Sequence, residues 1–209
     1  YRLQYTIPAI MQLNNLIGMN NVKTQILDQL LYFSQKIHDK DIFHTVITGN
    51  PGTGKTTLAK IIGQIYISLG ICTNNKFISA KRSDLIGRYL GETAIKTQKV
   101  IDSSLGGILF IDEAYSLGNS SKNTSDTYSK ECIDTINQNL SEKSENFICI
   151  LAGYEEDMDS CFFNQNSGLR RRFQWQYKIS NYSIIELKEI LLQKIYNSSW
   201  IIYETDFLN

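Results

Sequence analysis

The segment from Gly49 to Thr56 constrains the fold of this chain more than any other feature. It has the sequence GNPGTGKT, which matches the pattern GxxxxGK[ST] at every specified position. The apolar segment FHTVIT precedes it, and apolar residues recur at helical spacing after it. Those residues are Leu58, Ile61, Ile62, Ile65 and Leu69. A strand, a glycine-rich loop and a helix in this order predict an α/β domain with a phosphate-binding loop.

The residue types of this loop explain how it would hold a nucleotide. Glycines allow backbone N–H groups to wrap around phosphates, and the following helix adds the positive end of its dipole. Lys55 would reach the β- and γ-phosphates, and the Thr56 hydroxyl would ligate Mg²⁺. We therefore predict ATP and Mg²⁺ as cofactors. The predicted nucleotide contacts from the loop are Asn50, Pro51, Gly52, Thr53, Gly54, Lys55, Thr56 and Thr57.

A second motif, ILFIDE at 108–113, consists of four apolar residues followed by two acids. The pattern predicts a buried strand whose carboxyl end presents carboxylates to the nucleotide. Asp112 would hold the magnesium ion together with Thr56, and Glu113 would orient and deprotonate the attacking water. Apolar strands often end in surface acids, so this motif gains its weight from the phosphate-binding loop that precedes it.

Short apolar segments of β type alternate with longer segments of helical periodicity along the chain. This alternation predicts a five-stranded parallel sheet with helices on both faces. The predicted strands are 43–48, 77–79, 108–111, 147–151 and 175–179, and the predicted helices are 22–37, 55–69, 93–101, 129–140 and 184–195. The last helix opens with a capping box from Ser183 to Glu186 and has no partner helices. We expect an α/β domain over 1–180 and the beginning of a truncated helical lid over 181–209.

Charge and cysteine usage limit the classes of partner and compartment. Lys and Arg total 21, as do Asp and Glu, so the chain lacks the basic excess of a protein that holds nucleic acid through phosphates. Four widely spaced cysteines without a CxxC pair predict reduced thiols. The sequence contains no apolar run of about 18 residues, so we predict no membrane span. We expect a soluble intracellular protein in the cytoplasm or a plastid-type organelle. The choice stays open because the chain begins without Met.

Six motifs together resemble the AAA+ superfamily, and within it the group of the red-type Rubisco activase (CbbX/CfxQ) and sporulation stage V protein K. The motif with the sequence LGGILFIDEAYSL is the most specific of them. They are LIGMNNVK at 16–23, GNPGTGKTT at 49–57, DLIGRYLGET at 84–93, LGGILFIDEAYSL at 105–117, LAGYEEDM at 151–158 and GLRRRF at 168–173. The resemblance covers nearly the whole chain and implies a P-loop AAA+ fold.

The resemblance also implies roles for residues outside the phosphate-binding motif and the acidic motif. Ile17 and Gly18 fall where the family contacts adenine. Arg172 matches the arginine finger, which reaches the γ-phosphate of the neighbouring subunit, with Arg170 as the next candidate. Tyr154 falls near the sensor-1 position, where many AAA+ proteins place Asn. The sensor-2 arginine of the lid has no counterpart in this sequence.

The segment Tyr89-Leu90-Gly91 matches the aromatic–hydrophobic–glycine pore loop that grips unfolded polypeptide in AAA+ translocases. An aromatic ring gives sequence-tolerant contact, and glycine allows the loop to move. The alternative interpretation is a tyrosine that packs over the next helix.

The sequence thus favours an ATP-hydrolysing motor that remodels or threads a protein substrate in a homo-oligomeric, hexameric ring, as a Rubisco-activase-like chaperone does. An AAA+ protein that acts on DNA is the alternative enzyme, and a nucleotide-dependent scaffold or inactive ring partner is the alternative without catalysis. The P-loop alone would also suit a simple kinase.

Overall fold

Five parallel strands form one sheet in the order β2-β3-β4-β1-β5. The computed structural model describes residues 3–34, 42–89, 91–118, 127–143, 146–166 and 168–198. The strands are β1 (Thr45–Gly49), β2 (Phe77–Ala80), β3 (Ile108–Ile111), β4 (Ile148–Gly153) and β5 (Trp175–Ile179). The central strands β3 and β4 are buried along their whole length, as continuous apolar segments predict. The predicted parallel sheet is therefore confirmed.

Helices cover both faces of this sheet. They are α1 (Leu3–Asn14), α2 (Asn20–Ser34), α3 (Lys55–Leu69), α4 (Arg82–Leu85), α5 (Glu92–Ser104), α6 (Thr127–Glu142), α7 (Glu155–Asp157) and α8 (Ile184–Asn197). Alternate strand residues divide the core into two layers: Ile108 and Phe110 of β3 pack with α1, α2 and α3. Leu109 and Ile111 pack on the other face with α5 and α6. Within the described ranges, no helix combines the length and apolar character that crossing a membrane requires.

Most predicted elements agree with the structure to within three residues, but α1 is missing from the prediction. Pro8 lies inside α1 and has no N–H to donate to the helix, which made the segment look non-helical. Packing outweighs this loss, because Ala9 and Leu13 are buried and α1 lies against α3. The predicted helix 22–37 begins two residues earlier, at Asn20, and its last predicted residues lie outside the described ranges.

A buried polar cluster joins the helical layer to the sheet. The Gln29 side chain donates to the Tyr66 hydroxyl at 2.9 Å and accepts from the Tyr177 hydroxyl. Thr45 Oγ1 lies 3.1 Å from the same Tyr66 hydroxyl. Burial raises the pKa of Tyr66 to about 12. The cluster therefore satisfies three buried hydroxyls and ties α2 to α3, β1 and β5.

His44, just before β1, is fully buried, and its Nδ1 accepts a hydrogen bond from the Cys149 N–H at 3.0 Å. Burial, with a smaller contribution from the charge of Arg172, lowers the pKa of His44 to about 3. The folded protein thus keeps this imidazole neutral where the unfolded chain, with an ordinary histidine pKa of about 6.5, takes up a proton.

We predict that His44 makes the protein less stable as the pH falls below about 6.5, since only the unfolded state then binds the extra proton. The free energy of unfolding should drop by about 2 kcal/mol between pH 7 and pH 5 through this group. Urea denaturation of the wild type and of His44→Gln at the two pH values measures the effect. The drop should disappear in His44→Gln, and equal drops in the two proteins would contradict the prediction.

Candidate nucleotide-binding site

The loop between β1 and α3 has the geometry of a phosphate cradle. Gly52 and Gly54 adopt left-handed backbone conformations, with φ of 75° and 90°. Such values strain residues with a side chain, so glycine is required for the loop to turn here. Gly54 immediately precedes α3, so the free N–H groups of the first helical turn face the loop.

A cavity of about 450 Å³ opens beside this loop at the carboxyl edge of the sheet. It is lined by residues that follow β1, β3 and β4. They are Pro51, Gly52, Gly54, Lys55, Thr56, Thr57, Asp112, Glu113, Tyr115, Gly153 and Tyr154. The structure therefore brings the two motifs and Tyr154 together, although the motifs lie more than fifty residues apart and Tyr154 comes 41 positions after Glu113.

Lys55 lies between the loop and an aromatic ring. Its Nζ donates to the carbonyls of Gly49 at 2.8 Å and Asn50 at 2.9 Å. The same nitrogen lies 4.9 Å from the ring centroid of Tyr154, a cation–π distance. Partial burial lowers the pKa of Lys55, and the charges of Asp112 and Glu113 act in the opposite direction.

Thr56 and Asp112 provide the oxygen atoms that a magnesium ion prefers. The Thr56 hydroxyl donates to Asp112 Oδ2 at 3.0 Å, so the two side chains already meet at one point of the cavity. Mg²⁺ is usually bound by one or two protein oxygens together with substrate phosphates and water. This donor set fits Mg²⁺ carried by a nucleotide.

Glu113 has an unusual backbone conformation for a residue with a side chain, with φ of 51° and ψ of 43°. Its N–H donates to Asp112 Oδ1 at 3.0 Å, and its side chain is exposed within the lining of the cavity. Left-handed non-glycine residues cost about 1–2 kcal/mol each and recur at functional sites. The left-handed conformation of Glu113 turns the chain between the end of β3 and the 3₁₀ turn from Ala114 to Leu117.

Other predicted nucleotide contacts lie beside the cavity and support it. Asn50 donates to Asn181 Oδ1 at 2.8 Å, and the buried Thr53 hydroxyl donates to the Asn50 carbonyl at 2.8 Å. Both side chains therefore shape the loop. Ile17 and Gly18 are half-buried and absent from the lining. A Cβ on Gly18 would lie 2.5 Å from Glu186 Oε1, so this segment packs against the start of α8.

Arg172 ends a short 3₁₀ turn, Arg170–Arg172, just before β5. Its Nε donates to Ser141 Oγ at 2.8 Å, and its Nη1 donates to the Gly168 carbonyl at 2.6 Å. Trp175, at the start of β5, pairs with Thr45 at the start of β1, whereas the cradle follows the other end of β1. Arg172 therefore lies at the amino-terminal ends of the strands, and the nucleotide cavity of the same chain lies at their carboxyl-terminal ends.

Tyr89 is 75% exposed and is not a packed core residue. The Glu92 carboxylate accepts from the N–H groups of Arg88 at 2.7 Å and Tyr89 at 3.2 Å. Gly91, with φ of 80°, forms the N-cap of α5. Leu90, the middle residue of the predicted pore loop, lies outside the described residues.

Sequence reasoning missed two residues that line the cavity, Tyr115 and Gly153. Tyr115 stands in the AYSL segment after the acidic pair, where a 3₁₀ turn from Ala114 to Leu117 brings it back to the cavity. Gly153 is the last residue of β4. The sequence signal for both was their place inside the motifs LGGILFIDEAYSL and LAGYEEDM.

A family model of ATPases associated with various cellular activities matches residues 45–181, which include every element of this cavity. The chain belongs to the AAA family of ATPases. It is 44% identical over 207 residues to a CfxQ-like protein of Acanthamoeba polyphaga mimivirus, covering 98% of this chain and 50% of that protein. It is also 39% identical over 192 residues to stage V sporulation protein K of Bacillus subtilis, covering 88% of this chain and 58% of that protein.

These relatives place the chain in the CfxQ-like and stage V sporulation group of the family, and it spans about half the length of each of them. Among solved structures, the FIGL-1 AAA domain in complex with ADP matches with a TM-score of 0.59 at 20% identity. That match covers 88% of this chain and 60% of the other, and it supports the AAA fold.

Proposed function

We propose that this chain binds Mg·ATP and hydrolyses it, as part of a motor that remodels a protein substrate. One observation carries the enzymatic part: Lys55, Thr56, Asp112 and Glu113 line a single cavity next to a glycine cradle. A nucleotide-dependent scaffold would need the cradle and the lysine but would have no use for a glutamate beside the metal ligands. Family membership supports the same chemistry.

Each residue has a distinct task in this proposal. Backbone N–H groups of the cradle and Lys55 bind and orient the phosphates, while Thr56 and Asp112 hold the metal. When bound, Mg²⁺ neutralises charge on the phosphate oxygens. Glu113 orients a water molecule and accepts its proton as the water attacks the γ-phosphate. Tyr154, in the sensor position, contacts Lys55 through its ring.

Replacement of Glu113 separates binding from hydrolysis. Glu113→Gln removes the proton acceptor but keeps the size of the side chain, so hydrolysis should slow by roughly 10²–10⁴-fold while ATP affinity is retained. Lys55→Ala should instead weaken nucleotide binding itself. Steady-state phosphate release and equilibrium binding of a fluorescent ATP analogue measure the two effects. Unchanged turnover in Glu113→Gln would remove Glu113 from the mechanism, and no turnover in the wild type would favour the scaffold.

The position of Arg172 supports an oligomer in which subunits share sites. A five-residue strand spans roughly 16 Å, and β5 separates Arg172 from the edge that carries the cradle. An arginine at that distance has no path to its own γ-phosphate. We therefore propose that Arg172 completes the cavity of a neighbouring copy, in a homo-oligomeric ring of the hexameric type that the resemblance implies.

We predict that Arg172→Ala reduces ATPase activity by about 10³-fold or more, as loss of an arginine finger does, while ATP binding stays nearly intact. Arg171→Ala, a change in the neighbouring exposed arginine, is the matched control and should retain activity. The full-length protein should be used, and its activity per subunit should rise with concentration as rings form.

Mixing two inactive variants tests whether Arg172 acts between subunits. Glu113→Gln subunits keep the arginine, and Arg172→Ala subunits keep an intact cavity. If the arginine serves a neighbour, their mixture should recover activity that neither protein has alone. A mixture as inactive as its components would show that Arg172 acts within its own chain or only supports the fold.

The exposed Tyr89 supports a polypeptide as the substrate. The side chain projects from a short segment whose backbone is held by Glu92, next to Gly91. An exposed aromatic ring on an anchored turn suits contact with many side chains. We propose that Tyr89, Leu90 and Gly91 form a pore loop that engages protein, and the zero net charge of the chain argues against DNA in this role.

Tyr89→Ala should abolish the stimulation of ATPase activity by an unfolded polypeptide while leaving the basal rate and the melting temperature unchanged. Reduced and carboxymethylated protein serves as the probe, and single-stranded DNA is tested in parallel. Tyr5→Ala, a change in an exposed tyrosine of α1, is the matched control. Stimulation by DNA alone, or full stimulation of Tyr89→Ala by polypeptide, would contradict a protein substrate gripped by this loop.

Three further expectations remain part of the proposal. Apolar residues of α8 such as Ile184, Ile185 and Leu187 are exposed, which supports assigning 181–209 to the start of a lid domain distinct from 1–180. The four cysteines are free, as expected of reduced thiols in an intracellular compartment. A Rubisco-activase-like substrate rests on the resemblance to the CfxQ group.

A further inference from the structure

Tyr115 is held firmly next to the nucleotide cavity by the turn that follows Glu113. The flanking residues Ala114 and Leu117 are fully buried, and the Ser116 N–H donates to the Glu113 carbonyl at 2.8 Å. The turn is therefore anchored in the core on both sides of Tyr115. The ring position of Tyr115 is set by the fold and does not depend on a mobile loop.

The rings of Tyr115 and Tyr154 stack on each other. Their centroids lie 5.0 Å apart, and the ring planes meet at 24°. Gly153 makes this contact possible, because a Cβ there would lie 3.0 Å from Tyr115 Cδ1 and 2.7 Å from Met158. Burial raises the pKa of Tyr115 to about 12, with a hydrogen bond to Tyr154 acting in the same direction.

Tyr154 in turn contacts the catalytic lysine. The Lys55 ammonium lies 4.9 Å from its ring centroid and donates on its other side to the carbonyls of Gly49 and Asn50. A cation–π contact depends on the position of the ring face relative to the cation. Whatever orients the Tyr154 ring therefore limits the directions from which Lys55 approaches a phosphate.

We propose that Tyr115 is a positioning residue for ATP hydrolysis, acting on Lys55 through the stacked ring of Tyr154. This inference rests on the proposed ATPase function of the same site. Tyr115 itself bonds to no reacting atom: its ring sets the plane of Tyr154, and Tyr154 sets the place of the ammonium. Phosphate binding by the cradle is left largely intact, because backbone N–H groups supply most of it.

Steady-state kinetics of four variants test this chain of contacts in the full-length protein. Tyr115→Ala should lower kcat by roughly 3- to 10-fold, the range expected for loss of one aromatic pair, with KM within about twofold. Tyr115→Phe keeps the ring and should stay within about twofold of the wild type. The double variant Tyr115→Ala/Tyr154→Ala should lose no more than Tyr154→Ala alone, because both changes break the same chain.

The chemical reactivity of the Lys55 amine provides a measurement that does not depend on turnover. In the protein without nucleotide, Tyr115→Ala should increase the rate at which acetic anhydride modifies Lys55, since the aromatic face that covers it is no longer held in place. Lys60, an exposed lysine of the same helix, is the internal control and should be modified at an unchanged rate. Mass spectrometry of the labelled peptides measures both.

The outcomes separate the inference from the function on which it rests. If Glu113→Gln is inactive while Tyr115→Ala has normal kcat and Lys55 labelling, only the positioning role is wrong. Additive losses in the double variant, or a fall in melting temperature and ADP affinity that matches the loss of kcat, would reduce Tyr115 to a packing residue. If the wild type shows no turnover, the proposed function fails first.

Discussion

Parallel pairing of β1 with its two neighbours is the constraint on which the rest of the site depends. Backbone hydrogen bonds align the strands, so the residues that follow β1, β3 and β4 meet at one edge. The order β3-β4-β1 also places Tyr154, after β4, between the acids that follow β3 and the loop that follows β1. The contact between Lys55 and Tyr154 is thus a consequence of strand order. A one-residue slip of β4 would exchange its two buried faces and misplace the ring.

The first turn of α3 carries Lys55 and Thr56 of the proposed nucleotide site, and a distant polar cluster holds that helix in place. Gln29 bridges Tyr66 of α3 and Tyr177 of β5, and all three side chains are buried. Each such bond contributes only about 0.5–1.5 kcal/mol net, but leaving a buried hydroxyl without a partner costs about 1–3 kcal/mol. Removing Gln29 takes a hydrogen-bond partner from both tyrosine hydroxyls, and only Tyr66 keeps Thr45 beside it. Helix α2 is therefore part of the framework of the site, although none of its residues lines the cavity.

The sequence predicted those parts of the structure that depend on local pattern. The strands 108–111 and 175–179, the helix 55–69 and the capping box at Ser183 match the structure because each is determined by neighbouring residues. The two motifs meet as predicted, with Thr56 bonded to Asp112. Features set by long-range packing were not predictable. Pro8 made the segment of α1 look non-helical, because the stability of this helix comes from its contact with α3. The stack of Tyr115 on Tyr154 requires Gly153 at the end of β4, a different strand from the one that precedes Tyr115.

Arg172 lies at the amino-terminal ends of the strands and the cradle at their carboxyl-terminal ends, so the two occupy different surfaces of the subunit. A two-fold symmetric dimer joins the same patch of both subunits, whereas a head-to-tail contact joins two different patches. If Arg172 serves a neighbour, association is head-to-tail and grows until it closes. An open row of subunits always leaves one cradle at its end without an arginine. Closure removes that last idle cradle, so in a closed head-to-tail ring every cradle has a neighbour's arginine beside it.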